Sequence, residues 1–292
     1  MAATATETIY GINHTVAKGL MPHVIQPYGF IVVRVGGAAL LFWILSLFSK
    51  AEKIETSDWL RIFACAVFGM VLNMLMFFKG LSLSTPINSA VSMTITPVLL
   101  LLLTALILRE RITWLKTAGI FLGLTGALVL ILFQEKTQSN APNIPLGNLL
   151  FVLNAISYSF YLILVKPLVA KYKPVTLLKF FFLIAFFINL PIGFSQLTEV
   201  SWGSLGLSEM GQMAFVVVAT TFLTYLFNIF ALKQLSPSAV GVFIYLQPVV
   251  ATVFAIIVGA DTLNALRIGA AALIFTGVYL TTKKRKHVLR LR

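Results

Sequence analysis

Apolar and polar positions in this chain alternate on the scale of helices, not of strands. Runs of about 20 apolar residues, the length that crosses a ~30 Å hydrocarbon core, recur between short polar separators. Examples of the separators are SKAEKIETSD at 49–58, RER at 109–111 and KYKP at 171–174. The pattern predicts ten spans, at roughly 3–20, 27–48, 60–80, 86–108, 114–133, 146–166, 176–196, 210–231, 237–259 and 264–282. The longest central polar insert, QEKTQSNAPNIP at 134–145, divides them into two sets of five. The expected organisation is therefore a first half at 1–133, a linker at 134–145, a second half at 146–282 and a basic tail at 283–292.

Composition and charge refine this picture. Of 292 residues, 59% are hydrophobic and 11% charged, and mean hydropathy is +0.96, whereas a soluble domain carries about 25% charged residues. The fold class is therefore an all-α polytopic membrane protein embedded in the lipid bilayer. The net charge of +13 comes from basic residues clustered between apolar runs, which loop orientation explains and nucleic-acid binding does not. Five helices per half force the halves into opposite orientations. With the N-terminus inside, 17 of the 22 Lys and Arg residues fall on the cytoplasmic side and five on the outer side. Basic residues are retained in cytoplasmic loops, so both termini are expected inside. The N-terminus lacks a basic n-region and a small-residue cleavage site, so no removable signal peptide is expected. Cys65 is the only cysteine, which excludes an intramolecular disulfide, and His14, His23 and His287 are too dispersed for a metal cluster. No cofactor is expected.

The halves echo one another. In LSLSTPINSAVSMTITPVLLLLL (81–103) and LSPSAVGVFIYLQPVVATVF (235–254), Pro86 answers Pro237 and Pro97 answers Pro248, and 237 − 86 and 248 − 97 both equal 151. The same shift pairs Val91 with Val242, Leu115 with Leu266, Thr125-Gly126 with Thr276-Gly277, Glu110 with Asp261 and Lys116 with Arg267. A shift of 148 pairs Tyr10 with Tyr158 and Lys18 with Lys166. Inverted repeats of this kind build many secondary transporters, with the substrate site near the midplane between the halves.

The chain resembles the EamA-type transporters of the drug/metabolite transporter superfamily. The resemblance rests on YGINHTVAKG in the first helix, on the Pro97, Arg109-Glu110-Arg111 and glycine pattern across helices four and five, and on its second copy, in which Asp261 replaces the acidic residue Glu110. It implies a ten-helix, 5+5 inverted-repeat exporter of small metabolites, often amino acids or drug-like organics, in the cell's inner membrane. The partners implied are a small-molecule substrate and lipid. The unit is a monomer or a homodimer.

Polar stripes at helical spacing nominate the pathway. Thr85, Asn88, Ser89, Ser92 and Thr96 share one face of helix four, while the matching face of helix nine carries Ser236, Val240, Phe243 and Gln247 with Tyr245 nearby. Asn154, Ser157, Tyr158 and Tyr161 share a face of helix six; Thr221, Thr224, Tyr225 and Asn228 share one of helix eight; Tyr10, Asn13 and His14 share one of helix one. Unpaired amides are costly in hydrocarbon, so Asn13, Asn73, Asn154 and Asn228 are expected to point inward. Ser and Thr also serve as packing glue between helices, so the stripe, rather than any single hydroxyl, carries the expectation. Among ionisable residues in the spans, Lys18, Lys79 and Lys166 lie near helix ends, where their ammonium groups can snorkel to the interface. Arg34, about a third of the way into helix two, is not explained in this way. Glu7 and His14 are the proton-coupling candidates, His having an unperturbed pKa near ~6.5. Pro97 and Pro248 each remove a helix N–H and are the hinge candidates.

No H-E-x-x-H, no G-x-S-x-G and no paired carboxylates occur in a span, which argues against a membrane enzyme. An uncoupled facilitator or channel is the alternative to an alternating-access exporter.

Overall fold

The computed structural model describes residues 1–21, 23–84, 89, 92–109, 112–132, 142–257 and 265–282. All its regular elements are helical. We number them α1 (Ala2–Leu20), α2 (Pro27–Leu47), α3 (Thr56–Leu83), α4 (Thr96–Ile107), α5 (Trp114–Leu132), α6 (Ile144–Lys171), α7 (Pro174–Thr198), α8 (Leu207–Gln234), α9 (237–257) and α10 (Ala265–Thr282). Helices α2, α3, α6, α7 and α8 are long and apolar enough to cross a membrane, and shorter apolar helices make up most of the rest.

Local chemistry sets the starts. Pro27 and Pro174 occupy the first turn of α2 and α7, where no backbone N–H is needed. The Asn143 side chain accepts from the Leu146 N–H and the Ser236 hydroxyl from the Ala239 N–H, capping α6 and α9. Side chains from the opposite half cap the other two starts. Gln196 Oε1 accepts from the N–H groups of Tyr28 and Gly29 at 2.7 and 3.1 Å, and Glu52 Oε2 accepts from Lys173 N and Thr176 Oγ1 at 2.9 and 2.7 Å.

The packing reproduces the repeat. α2 lies against α7 and α5 against α10; α3 packs on α6 as α8 packs on α1; α4 packs on α6 as α9 packs on α1. Helices α3 and α8 correspond at both ends, since 56 + 151 = 207 and 83 + 151 = 234. Each is also widened by a π-helical segment, Val67–Leu72 in α3 and Val218–Leu223 in α8, and 67 + 151 = 218. A π segment shifts backbone bonding from i−4 to i−5 and releases carbonyl groups. The sequence pattern predicts α3 and α8 but not this widening, because the apolar run passes through it without a polar or Pro signal.

The α5–α10 contact depends on small residues, as close helix approach in lipid requires. A Cβ built on Gly277 would lie 2.5 Å from the Gly119 carbonyl oxygen and 2.7 Å from the Gly123 nitrogen. The main buried cluster lies among α1, α2, α3, α6, α7 and α8, and a smaller one joins α5, α9 and α10.

The observed helices differ from the predicted spans mainly at their ends. In helix four, expected over 86–108, turns at Thr94 and Ile95 separate helical Ser92 and Met93 from the segment that begins at Thr96, just before Pro97. Helix nine is interrupted by a 3₁₀ turn at Phe243–Tyr245, just ahead of Pro248. Each proline therefore sits in the first turn of the second segment, with the break immediately before it. Glu110, Arg111, Asp261, the tail at 283–292 and most of the linker lie outside the described residues.

Candidate functional site

A cavity of about 100 Å³ opens where the halves meet. It is lined from α1 by Glu7, Tyr10 and Asn13, from α2 by Arg34, from α3 by Asn73, Met74, Phe77 and Phe78, from the α4 region by Met93 and Thr96, from α6 by Asn154 and Tyr158, from α8 by Tyr225 and from α9 by Ile244 and Gln247. Its position follows from the fold, since the helices that exchange partners across the repeat surround it.

The released carbonyls of the π segments organise the walls. Phe68 O accepts from Ser157 Oγ at 2.7 Å and Gly69 O from the Tyr225 hydroxyl at 2.9 Å. In the other half, Thr220 O accepts from Arg34 Nη2 at 3.3 Å, and Arg34 Nε donates to Thr221 Oγ1 at 3.0 Å. The Arg34 guanidinium also stands over the Phe78 ring, 4.6 Å from its centroid. Asn154 Nδ2 donates to Asn73 O at 2.6 Å, just after the π segment of α3. Across the cavity Gln247 Nε2 donates to Glu7 Oε2 at 2.5 Å, and Thr224 Oγ1 donates to the Tyr10 hydroxyl at 3.1 Å.

Of the residues nominated from sequence, Tyr10, Asn13, Asn73, Thr96, Asn154, Tyr158, Tyr225, Gln247 and Glu7 lie on this wall. Others stand behind it. Asn228 Nδ2 donates to the Tyr158 hydroxyl at 3.0 Å, and Thr224 holds Tyr10. Tyr161 is fully buried against Gly69, and Tyr245 is fully buried against Gly123. Ser92 is half-buried and off the wall, so the hydroxyl stripe of helix four contributes Thr96 alone among the described residues. Asn88 and the side chain of His14 lie outside the described residues. Pro97 and Pro248 are buried at the breaks in the fourth and ninth spans.

Two features depart from the sequence reading. The Lys166 ammonium has protein partners: it donates to the main-chain oxygens of Leu232 and Leu235, the latter at 2.7 Å, at the C-terminal end of α8. Arg34 and the apolar residues Met74, Phe77, Phe78, Met93 and Ile244 join the wall. The apolar ones had no signal, because a Met or Phe facing a cavity reads in sequence like one facing a neighbour. Arg34 did have one, as a charge inside a span.

Among the described residues, the wall carries one cation and one carboxyl group, Arg34 and Glu7, and no set of His, Cys, Asp or Glu could hold a metal. The remaining surface combines amides, phenols and apolar side chains, which suits capture of an amphipathic organic molecule.

The chain was compared with known proteins. The model of the EamA-like transporter family matches residues 1–132 and 145–283. An uncharacterized transporter of Archaeoglobus fulgidus is 27% identical over 283 residues, covering 96% of this chain and 97% of its own. The uncharacterized transporter YyaM of Bacillus subtilis is 24% identical over 247 residues, 84% of this chain and 81% of its own. A WAT1-related protein of Arabidopsis thaliana is 22% identical over 313 residues, 96% and 84% respectively. A solved structure, described only as the crystal structure of a protein, superposes with a TM-score of 0.76 at 19% identity over 96% of this chain and 94% of its own; it establishes the fold alone. This is a multi-pass membrane transporter, and the chain belongs to the EamA-like transporter family.

Proposed function

We propose that the protein is an inner-membrane exporter of small organic metabolites, amino acid-like or drug-like, working by alternating access. The observation that carries this reading is the cavity itself, built from both halves of an inverted repeat and lined by hydrogen-bonding, aromatic and aliphatic groups together. Both termini lie inside in this reading, in keeping with the distribution of Lys and Arg. The two repeats, 1–133 and 146–282, are the bodies that rock against each other, with the breaks before Pro97 and Pro248 as hinges. Glu7, bound to Gln247 across the two halves, is the proton-coupling residue, with His14 about two helical turns further along α1. Tyr10, Asn13, Asn73, Thr96, Asn154, Tyr158, Tyr225 and Gln247 form the substrate wall.

Efflux of labelled amino acids and other small metabolites from proteoliposomes, with and without an imposed pH gradient, tests this. Saturable efflux accelerated by inward protons and lost in Glu7→Gln supports the coupled exporter. Saturable flux indifferent to the gradient makes the protein a facilitator and removes Glu7 from the coupling step. Product formation in place of flux makes it an enzyme.

A further inference from the structure

Arg34 is 4% exposed, yet its hydrogen bonds are to neutral partners, Thr221 Oγ1 and the Thr220 carbonyl. Among the described residues, the ion pairs join Lys171 to Glu55 and Asp58, and none involves Arg34. A buried charge without a counter-ion is strongly disfavoured. A guanidinium also has five N–H donors in a planar fork that matches a carboxylate; two bonds do not exhaust that fork, and Arg34 lines the cavity. Phe78 covers one face of the group, so an anion would approach in the guanidinium plane, the geometry of a bidentate pair.

A second set of polar groups on the same cavity is supplied by α1. Asn13 is 4% exposed, and its Oδ1, an acceptor, has no hydrogen-bond partner although buried. Glu7 offers carboxyl oxygens on the same helix and the same cavity. Aliphatic and aromatic side chains from α3, Met74 and Phe77 among them, line the same cavity.

We propose that Arg34 is the carboxylate anchor of the transported molecule, and that Asn13 Oδ1 and Glu7 receive its ammonium group, so that the preferred substrate is an α-amino acid with an apolar side chain, entering as a zwitterion. The proposal rests on the transport reading of the cavity and adds to it the residue that selects for carboxylate and the direction in which the substrate lies.

The test is isothermal titration of the purified full chain in detergent with three probes of one skeleton: L-leucine, 3-methylbutylamine, which lacks the carboxylate, and 4-methylpentanoate, which lacks the amine. Hydrogen bonds to charged groups predict that loss of the carboxylate weakens binding by about ten- to a hundredfold. Arg34→Gln should weaken L-leucine and 4-methylpentanoate by a similar factor and leave 3-methylbutylamine unchanged, the coupling that identifies direct partners. A purely structural Arg34 would instead weaken all three alike. Arg34→Lys, which keeps the charge, should retain part of the preference; the wild-type ladder of probes stands even if Arg34→Gln does not fold. Equal binding of amine and amino acid, or no binding of either carboxylate probe at millimolar concentration, overturns the assignment. Flux of amines without carboxylate preference would sink the anchor and spare the transporter. An intact ladder without flux would sink the transporter and spare the anchor.

Discussion

Gln247 donates its amide to the Glu7 carboxyl group across 2.5 Å, joining the first helix of one half to the ninth helix of the other within the cavity. Under the proposed alternating access, the bond spans the boundary that must open. It would also place a titratable group at a contact between the two rocking bodies. Removing the charge while keeping the shape isolates that effect. Glu7→Gln is expected to weaken binding of substrate and to lose acceleration of efflux by a pH gradient, whereas Gln247→Leu is expected to retain gradient dependence at a lower rate. Proteoliposome efflux with both variants checks this. Undiminished gradient dependence in Glu7→Gln would assign coupling elsewhere.

Lys166 ties α6 to the end of α8. Its ammonium lies on the carbonyls of Leu232 and Leu235, where the helix dipole also favours a cation. Beside it, Gly241 of α9 packs against Leu100 of α4 closely enough that a Cβ would lie 2.6 Å from Leu100 Cδ2. Lys166→Met should loosen this end. With Cys65, which is buried, replaced by Ala, a cysteine substituted at buried Val240 should react slowly with a maleimide in the parent and faster in Lys166→Met. Equal rates would mean that apolar packing alone keeps position 240 buried.

Two glycines of α10 should respond to alanine with opposite signs. A Cβ on Gly269 meets nothing within 4 Å, while one on Gly277 meets the backbone of α5 at 2.5 Å. Gly269→Ala should gain helix propensity, ~0.5–1 kcal/mol. Gly277→Ala should lose more than that by forcing α5 and α10 apart, since overpacking costs ~1–3 kcal/mol. Thermal unfolding in detergent is expected to move up for the first and down for the second. A rise for both would show that the α5–α10 contact yields freely.

The sequence made much of this legible. Helix number, the central division and the 151-residue echo were readable because hydrocarbon demands long apolar runs and because Pro and Gly mark breaks and contacts wherever they fall. Nine of the wall residues, Glu7 and Tyr10 among them, were readable because polar groups in a span must face something polar. What stayed hidden depends on three-dimensional register. The paired π segments leave no mark in composition, yet their carbonyls receive Ser157, Tyr225 and Arg34. Tyr161 and Tyr245 share a stripe with true wall residues but turn toward Gly69 and Gly123, a choice set by where a neighbouring helix lacks a side chain. Lys166 reads as a snorkelling residue until the end of α8 is seen beside it.

A loop carboxylate supplies the last prediction. Glu52 lies between α2 and α3 and is partly buried against the start of α7 in the other half. Burial raises its pKa, but hydrogen bonds from Thr176 and the Lys173 N–H, with the charge of Lys173, outweigh this and hold the carboxyl below its ordinary value. A group depressed in the folded state stabilises that state at pH above its unfolded value, and the contribution disappears as pH falls through the folded value. The stability difference between parent and Glu52→Gln should therefore be constant at neutral pH and shrink once pH drops into and below the carboxylate range. Neighbouring bonds report on the same junction, since Tyr172 donates to Asp58 Oδ2 at 2.9 Å and Lys171 to Glu55 and Asp58 at 2.9 and 3.0 Å. The exposed Lys171–Glu55 pair is individually weak, so the measurement is the pH profile of the difference, taken by thermal unfolding in detergent. A difference that persists unchanged in acid would assign the Glu52 contribution to packing rather than charge. A difference that shrinks would make this junction between the halves an acid-sensitive tie, independent of whatever Glu7 does in the cavity.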